Sequence, residues 1–307
     1  MSLILSSAPH IRSKDNTQRL MLNVIISLLP CAAAGIYYFG WQAALVIAVS
    51  VISAVAAEYI WQKLARQKVR IYDLSAVVTG LLIGLIVPPS APWWMLVIGS
   101  FFAIMVVKQL FGGIGDNFLN PALAARAVLL ASWPALMTSG YNVGRLDAVS
   151  GATPLLGGAS IMDLLVGNVT GAVGETCKIA ILLGFAYLLI TRTITWEIPV
   201  ITVASACLLG WVLGTDPLTT VLSGGLLFGA VYMATDYVTT PMTFFARVLY
   251  SIGIGVIIVL IRNYGSYPEG VTYGILLMNI AGPLFDRIPL KRIYGHTQSV
   301  KAVKGGK

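Results

Sequence analysis

Apolar residues fill the chain in ten long blocks, at about 20–40, 42–62, 74–90, 93–111, 119–135, 176–191, 196–213, 218–235, 244–261 and 270–286. They come as continuous runs rather than in alternation, which argues against a membrane β-barrel. Most approach the roughly 20 residues that a helix needs to cross a bilayer. The pattern predicts an all-α polytopic membrane protein of about ten transmembrane helices. Pro30 predicts a kink in the first span. The third and fifth blocks are short and carry Pro and polar residues, so broken or tilted helices are expected there. The chain then divides into an arm over 1–19, a membrane half over 20–135, a loop over 136–174, a second membrane half over 175–286 and a tail over 287–307.

Charge supports this division. Only 10% of residues are charged, against about one quarter in a soluble domain, so a soluble enzyme and a disordered chain are both excluded. The net charge of +8 is unevenly placed. With the N-terminus in the cytoplasm and each block crossing once, 16 of the 20 Lys and Arg residues fall on the inner side. They lie in the arm, around Lys63, Arg66, Lys68 and Arg70, at Lys108, Arg192 and Arg247, and in the tail. This is the positive-inside asymmetry of a multi-pass protein with both basic termini in the cytoplasm. The same placement argues against nucleic acid as a partner and leaves membrane lipid. The polar run 1–19 precedes a full-length span, so no cleaved signal peptide is expected. Cys31, Cys177 and Cys207 are far apart and lack disulfide or metal spacing.

An internal repeat is visible. Gly80-Leu-Leu-Ile-Gly84 recurs as Gly225-Leu-Leu-Phe-Gly229, and the Phe111-Gly-Gly segment has a faint echo at Tyr264-Gly-Ser. Five spans per half, with span three running outward and span eight inward, predict two inverted halves.

The loop 136–174 falls on the outer side and carries Asp147-Ala-Val-Ser150-Gly151-Ala152-Thr153-Pro154. Gly151 permits unusual backbone angles, Ala152 adds little bulk, and Pro154 pushes Thr153 toward an extended conformation. The expected result is a threonine hydroxyl held out with little steric cover, able to accept a transferred group. No His or Cys stands near it in sequence, so activation has to come from another enzyme.

Asp147-x-x-Ser150-Gly151-Ala152-Thr153 resembles the recognition motif of flavin transferases, which move FMN from FAD to a threonine hydroxyl through a phosphoester. Along nearly its full length the chain resembles the D subunits of the Rnf complex, the ion-translocating ferredoxin:NAD oxidoreductase. That family also includes the B subunit of the sodium-translocating NADH:quinone reductase, whose N-terminal extension is longer. The resemblance implies a bacterial or archaeal cytoplasmic (inner) membrane protein. It implies covalent FMN on Thr153, with Asp147, Ser150, Gly151, Ala152 and Pro154 around it. It implies a flavin transferase for maturation, and partner subunits that include a second covalent flavoprotein and small membrane subunits. With no Cys cluster and no nucleotide-binding domain, the ferredoxin and NAD sites fall on those partners. A second, non-covalent flavin such as riboflavin is left open, as is the choice of Na⁺ or H⁺.

Polar residues within the blocks are further candidates. Asn120 and Pro121 are expected to cap and open span five, with Arg126 about one and a half turns inside. A charge at that depth predicts a functional partner: the flavin phosphate, a carboxylate or a neighbouring subunit. Glu58 is expected to pair with Lys63 and Arg66 at the interface, Glu175 with Lys178 one turn on, and Asp73 to cap span three. Asp236 is expected to cap the inner end of span eight or to touch a translocated cation. The inverted repeat alone is also what a solute or ion channel or transporter would show, and a structural subunit without a redox group is a third reading. Only the motif around Thr153 separates the first reading from these two.

Overall fold

The computed structural model describes residues 16–138, 161–167, 169, 171–265 and 270–287. Every one of the ten apolar blocks contains helix, and no strand occurs among the described residues. Helix α1 (Thr17–Phe39) turns into α2 (Trp41–Leu64) at Gly40, whose φ of +69° suits a residue without a side chain. With α12 (Phe244–Tyr264) these are, among the described residues, the helices long and apolar enough to cross a membrane unaided.

The remaining helices are shorter. In the first half α3 covers Ser75–Ile86, and a helix starting at Trp93 forms α4. α4 is α-helical to Phe101 and continues as a wider π-helix over Phe102–Gln109. α5 covers Pro121–Ser132, followed by the single turns α6 (Pro134–Thr138) and α7 (Ile161–Val166). The second half holds α8 (Lys178–Ile190), α9 (Glu197–Val212), α10 (Pro217–Leu222), α11 (Leu226–Phe228, extended by a π turn over Gly229–Met233), α12 and α13 (Val271–Asp286). Twelve residues of helix reach only about 18 Å, against a hydrocarbon core of about 30 Å. α3 and α5 have that length, as the short third and fifth blocks predict. Pro88 and Pro134 stand just beyond their ends, where proline disfavours helix in the preceding residue.

The eighth block departs from expectation. It is two half-helices, α10 and α11, separated at Ser223, Gly224 and Gly225. Gly224 has φ +62°, a conformation that interrupts a right-handed helix. In an apolar run these small residues read as helix packing, which is why the sequence does not reveal the break.

Packing follows the two halves. α2 lies along α3 and α4, and α9 along α10 and α12. α1 meets α8 and α5 meets α13, joining the halves through corresponding helices. Close approach depends on small residues, as is usual between helices in lipid. A Cβ at Gly80 would stand 2.7 Å from Val51 Cα and 2.8 Å from Ser50 O, and one at Gly84 would stand 2.9 Å from Ile47 Cα. The similar string in the second half does different work. Gly225 sits at the break against the Glu175 carboxylate, and Gly229 packs on Val271.

The loop expected over 136–174 is partly core. Residues 171–177 re-enter the molecule: Ala172 and Val173 are fully buried, Val173 packs on Gly35, and Gly174 N–H donates to Leu85 O at 2.7 Å.

Candidate functional site

Two buried charge networks occupy opposite ends of the bundle. α2 leaves the turn at Gly40 and runs for 24 residues, about 36 Å, before reaching the basic loop that begins at Lys63. The network near that loop and the one near the re-entrant segment are therefore far apart.

The first network lies where α5, α8, α10 and α12 meet the re-entrant segment. Arg126, one and a half turns into α5, donates through Nη1 to Glu175 Oε1 at 2.9 Å. Both residues are buried. Lys178 opens α8, and its ammonium donates to two main-chain carbonyls, Glu175 O and Gly224 O. Arg262, in the last turn of α12, donates to Thr220 O at 2.7 Å and Ser223 O at 3.2 Å. These carbonyls end α10, where the helix has no further N–H groups to meet them, and cations suit the negative end of a helix dipole. The gap left among Leu123, Arg126, Glu175, Gly225 and Phe228 is only about 10 Å³.

One expectation changes here. Glu175 and Lys178 do not form the side-chain pair that their spacing suggests. Glu175 precedes α8, so the i, i+3 geometry of a helix does not apply. Of the partners expected for Arg126, the carboxylate is the one seen. The charge at that depth is met by an ion pair within the chain.

The second network joins α2, α3 and α4. Lys108 Nζ lies 2.8 Å from Glu58 Oε1 and also reaches Ser75 Oγ. Gln109 Nε2 donates to the same Glu58 oxygen at 2.6 Å, and Gln62 Nε2 does so at 3.4 Å. Glu58 is 1% exposed. The expected partners Lys63 and Arg66 are not the ones it takes; Lys63 instead reaches the Tyr59 hydroxyl and ring. The π-helix brings Lys108 inward, a placement that helical periodicity does not forecast. Asp73 accepts from Ser75 N–H at 3.0 Å and so meets the start of α3, as expected.

Asn120 caps α5 by accepting from Ala122 and Leu123 N–H, and its side-chain amide donates to Met233 O at the end of the π turn. Asn117, Asn120, Lys108 and Asp236 line a cavity of about 100 Å³ between the halves. Asp236 accepts main-chain N–H groups of Tyr237 and Val238, in the turn that follows the π stretch. Arg126 faces the other network. The polar residues from Lys108 to Arg126, adjacent in sequence, therefore do not form one site. Among the described residues no cluster of His, Cys, Asp and Glu could hold a metal ion, and all three cysteines are free.

Asp147, Ser150, Gly151, Ala152, Thr153 and Pro154 lie outside the described residues. The two short helices that bound them are placed. α6 packs on α5, and α7 packs on α8 and α10. Tyr38, near the end of α1, donates to Val166 O at 2.9 Å. Both flanks of the motif thus sit at the end of the bundle that holds the Arg126 network.

Comparison with known proteins adds a family. Residues 4–295 match the model described as NQR2, RnfD, RnfE family. The chain is 46% identical to the D subunit of the Na(+)-translocating ferredoxin:NAD(+) oxidoreductase complex of Acetobacterium woodii, covering 99% of each chain. It is 39% identical to the D subunit of the proton-translocating ferredoxin:NAD(+) oxidoreductase complex of Clostridium ljungdahlii, covering 92% of this chain and 93% of that one. It is 37% identical to the D subunit of the ion-translocating oxidoreductase complex of Alcanivorax borkumensis, covering 97% and 98%.

Proposed function

We propose, from the fact that this chain belongs to the NQR2, RnfD, RnfE family, that it is a membrane electron-transfer subunit carrying FMN on Thr153. Its complex would couple electron flow between reduced ferredoxin and NAD to movement of Na⁺ or H⁺. The observation that carries the flavin is Asp147-x-x-Ser150-Gly151-Ala152-Thr153 in a chain with these relatives. A channel or a purely structural subunit has no use for that string.

Attachment would be a phosphoryl transfer. Thr153 would supply the hydroxyl that takes the FMN phosphoryl group from FAD, with AMP as the leaving group and the transferase accepting the proton. FMN then supplies one- and two-electron chemistry. The chain's share is placement. α6 and α7 fix the flanks of the motif on α5, α8 and α10, at the end of the bundle away from the basic loop. With Lys63, Arg66, Lys68 and Arg70 facing the cytoplasm, the motif faces the outside, where a flavin transferase would meet it. The resemblance puts the ferredoxin and NAD sites on other subunits, among them a second covalent flavoprotein, and three dispersed cysteines without iron–sulfur spacing are in keeping with that. A non-covalent flavin such as riboflavin, if held between the halves, would have to part the walls of the 100 Å³ cavity, since ligand pockets are usually about 300 Å³ or more. Relatives named for Na⁺ and for protons leave the ion to be measured.

The test is in-gel fluorescence of the denatured protein under ultraviolet light. The wild-type chain is expected to give a band that survives SDS. Thr153→Val keeps the shape, loses the hydroxyl and is expected to insert without the band. Peptide mass spectrometry finding FMN on another residue overturns the assignment.

A further inference from the structure

The end of the bundle that carries the basic loop holds a cavity of about 810 Å³. Its walls come from the first residues of α1 (Asn16, Thr17, Gln18), from Glu58 and Gln62 on α2, from Lys68, Arg70, Tyr72 and Asp73, and from Gln109, Gly112 and Gly113 after α4. The electron-transfer reading makes no use of it.

Three features of this cavity are incomplete. Glu58 is 1% exposed, and while its Oε1 takes Lys108, Gln109 and Gln62, its buried Oε2 has no hydrogen-bond partner among the described residues. A carboxylate oxygen left so is costly, so it points to a donor from outside the chain. Lys68 and Arg70 line the same space, and among the described residues neither side chain makes a hydrogen bond or ion pair; only the Arg70 backbone N–H is engaged, by Gln62 Oε1. The 23-residue helix α1 begins at this wall, and among the described residues its start has no side-chain cap from Asn16 and no acidic residue in its first turn, so its positive dipole end faces the cavity.

The charges define the ligand. Glu58 is offset by Lys108, and Asp73 is engaged with Ser75. Lys68 and Arg70 then leave the lining, counted with Lys108, one positive charge in excess. An anion belongs near Lys68, Arg70 and the start of α1, and a hydroxyl or ammonium donor belongs at Glu58 Oε2. Exposed Tyr72 lines this cavity, where an aromatic residue beside basic ones suits a membrane surface.

We propose that this cavity binds a phosphate ester that also carries an N–H or O–H donor. Phosphatidylethanolamine and phosphatidylglycerol headgroups have that chemistry, as does soluble sn-glycerol 3-phosphate. The phosphate meets Lys68, Arg70 and the α1 terminus, and the donor completes Glu58. Phosphatidylcholine supplies the phosphate without the donor.

The test uses the purified, delipidated complex, titrated with each of the three lipids in detergent and read by native mass spectrometry. The wild type is expected to retain phosphatidylethanolamine and phosphatidylglycerol over phosphatidylcholine. Lys68→Ala with Arg70→Ala changes only exposed side chains, so the fold is kept. Loss of two charge-assisted contacts is expected to cut retention about tenfold or more. Glu58→Gln replaces the accepting oxygen by a donor and is expected to erase the preference over phosphatidylcholine; should it fail to insert, the double variant decides alone. Displacement of bound lipid by millimolar sn-glycerol 3-phosphate identifies a free ester as the natural source, and resistance to it identifies the lipid. Equal retention of all three lipids by the wild type, or unchanged retention by the double variant, overturns the proposal. The ultraviolet flavin band is read in the same samples, and its presence or absence leaves this result standing.

Discussion

Arg126 and Glu175, 49 positions apart in the chain, meet in a buried ion pair at 2.9 Å between α5 and the segment that leads into α8. The pair ties the last helix of the first half to the first residues of the second.

Removing one partner of such a pair leaves a buried charge uncompensated, at a cost of about 3–5 kcal/mol. Arg126→Leu and Glu175→Gln are each expected to lower thermal stability sharply in detergent. Arg126→Leu combined with Glu175→Leu is expected to recover most of the loss, because the desolvation of both charges disappears together. If Arg126→Leu instead leaves stability intact and changes only the flavin potential, the guanidinium acts on the cofactor and not on Glu175.

The Lys108–Glu58 pair gives a parallel expectation at the other end. Lys108→Met strands a carboxylate that also holds Gln109 and Gln62, and about 3 kcal/mol or more is expected to be lost. A double-mutant cycle with Glu58→Gln checks it. A coupling energy near zero would show that Ser75 and the two glutamines hold the site without the charge.

Helix contact in the first half depends on Gly80. Its missing Cβ would stand 2.7 Å from Val51 Cα, so Gly80→Ala must push α3 off α2, an overpacking cost of about 1–3 kcal/mol. Gly214→Ala is the control. No atom lies within 4 Å of that Cβ, and only its φ of +81° is disturbed, at about 1–2 kcal/mol. Thermal melts that rank Gly214→Ala as clearly the more damaging variant would mean that α3 and α2 separate without cost.

Sidedness is open to chemical labelling. Tyr72, Met162 and Met242 are 82%, 68% and 89% exposed. In intact cells an impermeant maleimide is expected to reach Met162→Cys and to spare Tyr72→Cys and Met242→Cys until the membrane is opened. The reverse pattern places the Thr153 loop in the cytoplasm and removes the basis for flavin attachment from outside.

The residues differ in how much of this could be read without coordinates. Ten apolar blocks mark the helices because apolar length is what a bilayer selects. Asn120 and Asp73 are legible because caps are local. Glu58 is not, because attention to its near neighbours Lys63 and Arg66 conceals a partner 50 positions away. The break at Ser223, Gly224 and Gly225 hides because small residues pack helices as readily as they end them. Arg126 reads as a costly charge and Glu175 as a partner for Lys178, and only the fold shows that Arg126 and Glu175 meet.

The π-helix over Phe102–Gln109 fixes a phase. An α-helix advances about 100° per residue, so gaining or losing one residue rotates everything downstream by that angle. Lys108 lies inside the widened stretch, and its ammonium is aimed at a carboxylate on another helix. A π turn holds about one residue more than an α turn, so deleting one residue among positions 102–107 would let ordinary winding return with Lys108 near its present direction, whereas inserting one more would swing that ammonium out of the bundle toward hydrocarbon, without altering any residue that touches Glu58. The spacing of α4 is thus constrained as tightly as its composition, and an insertion in this stretch would be more damaging than most substitutions within it.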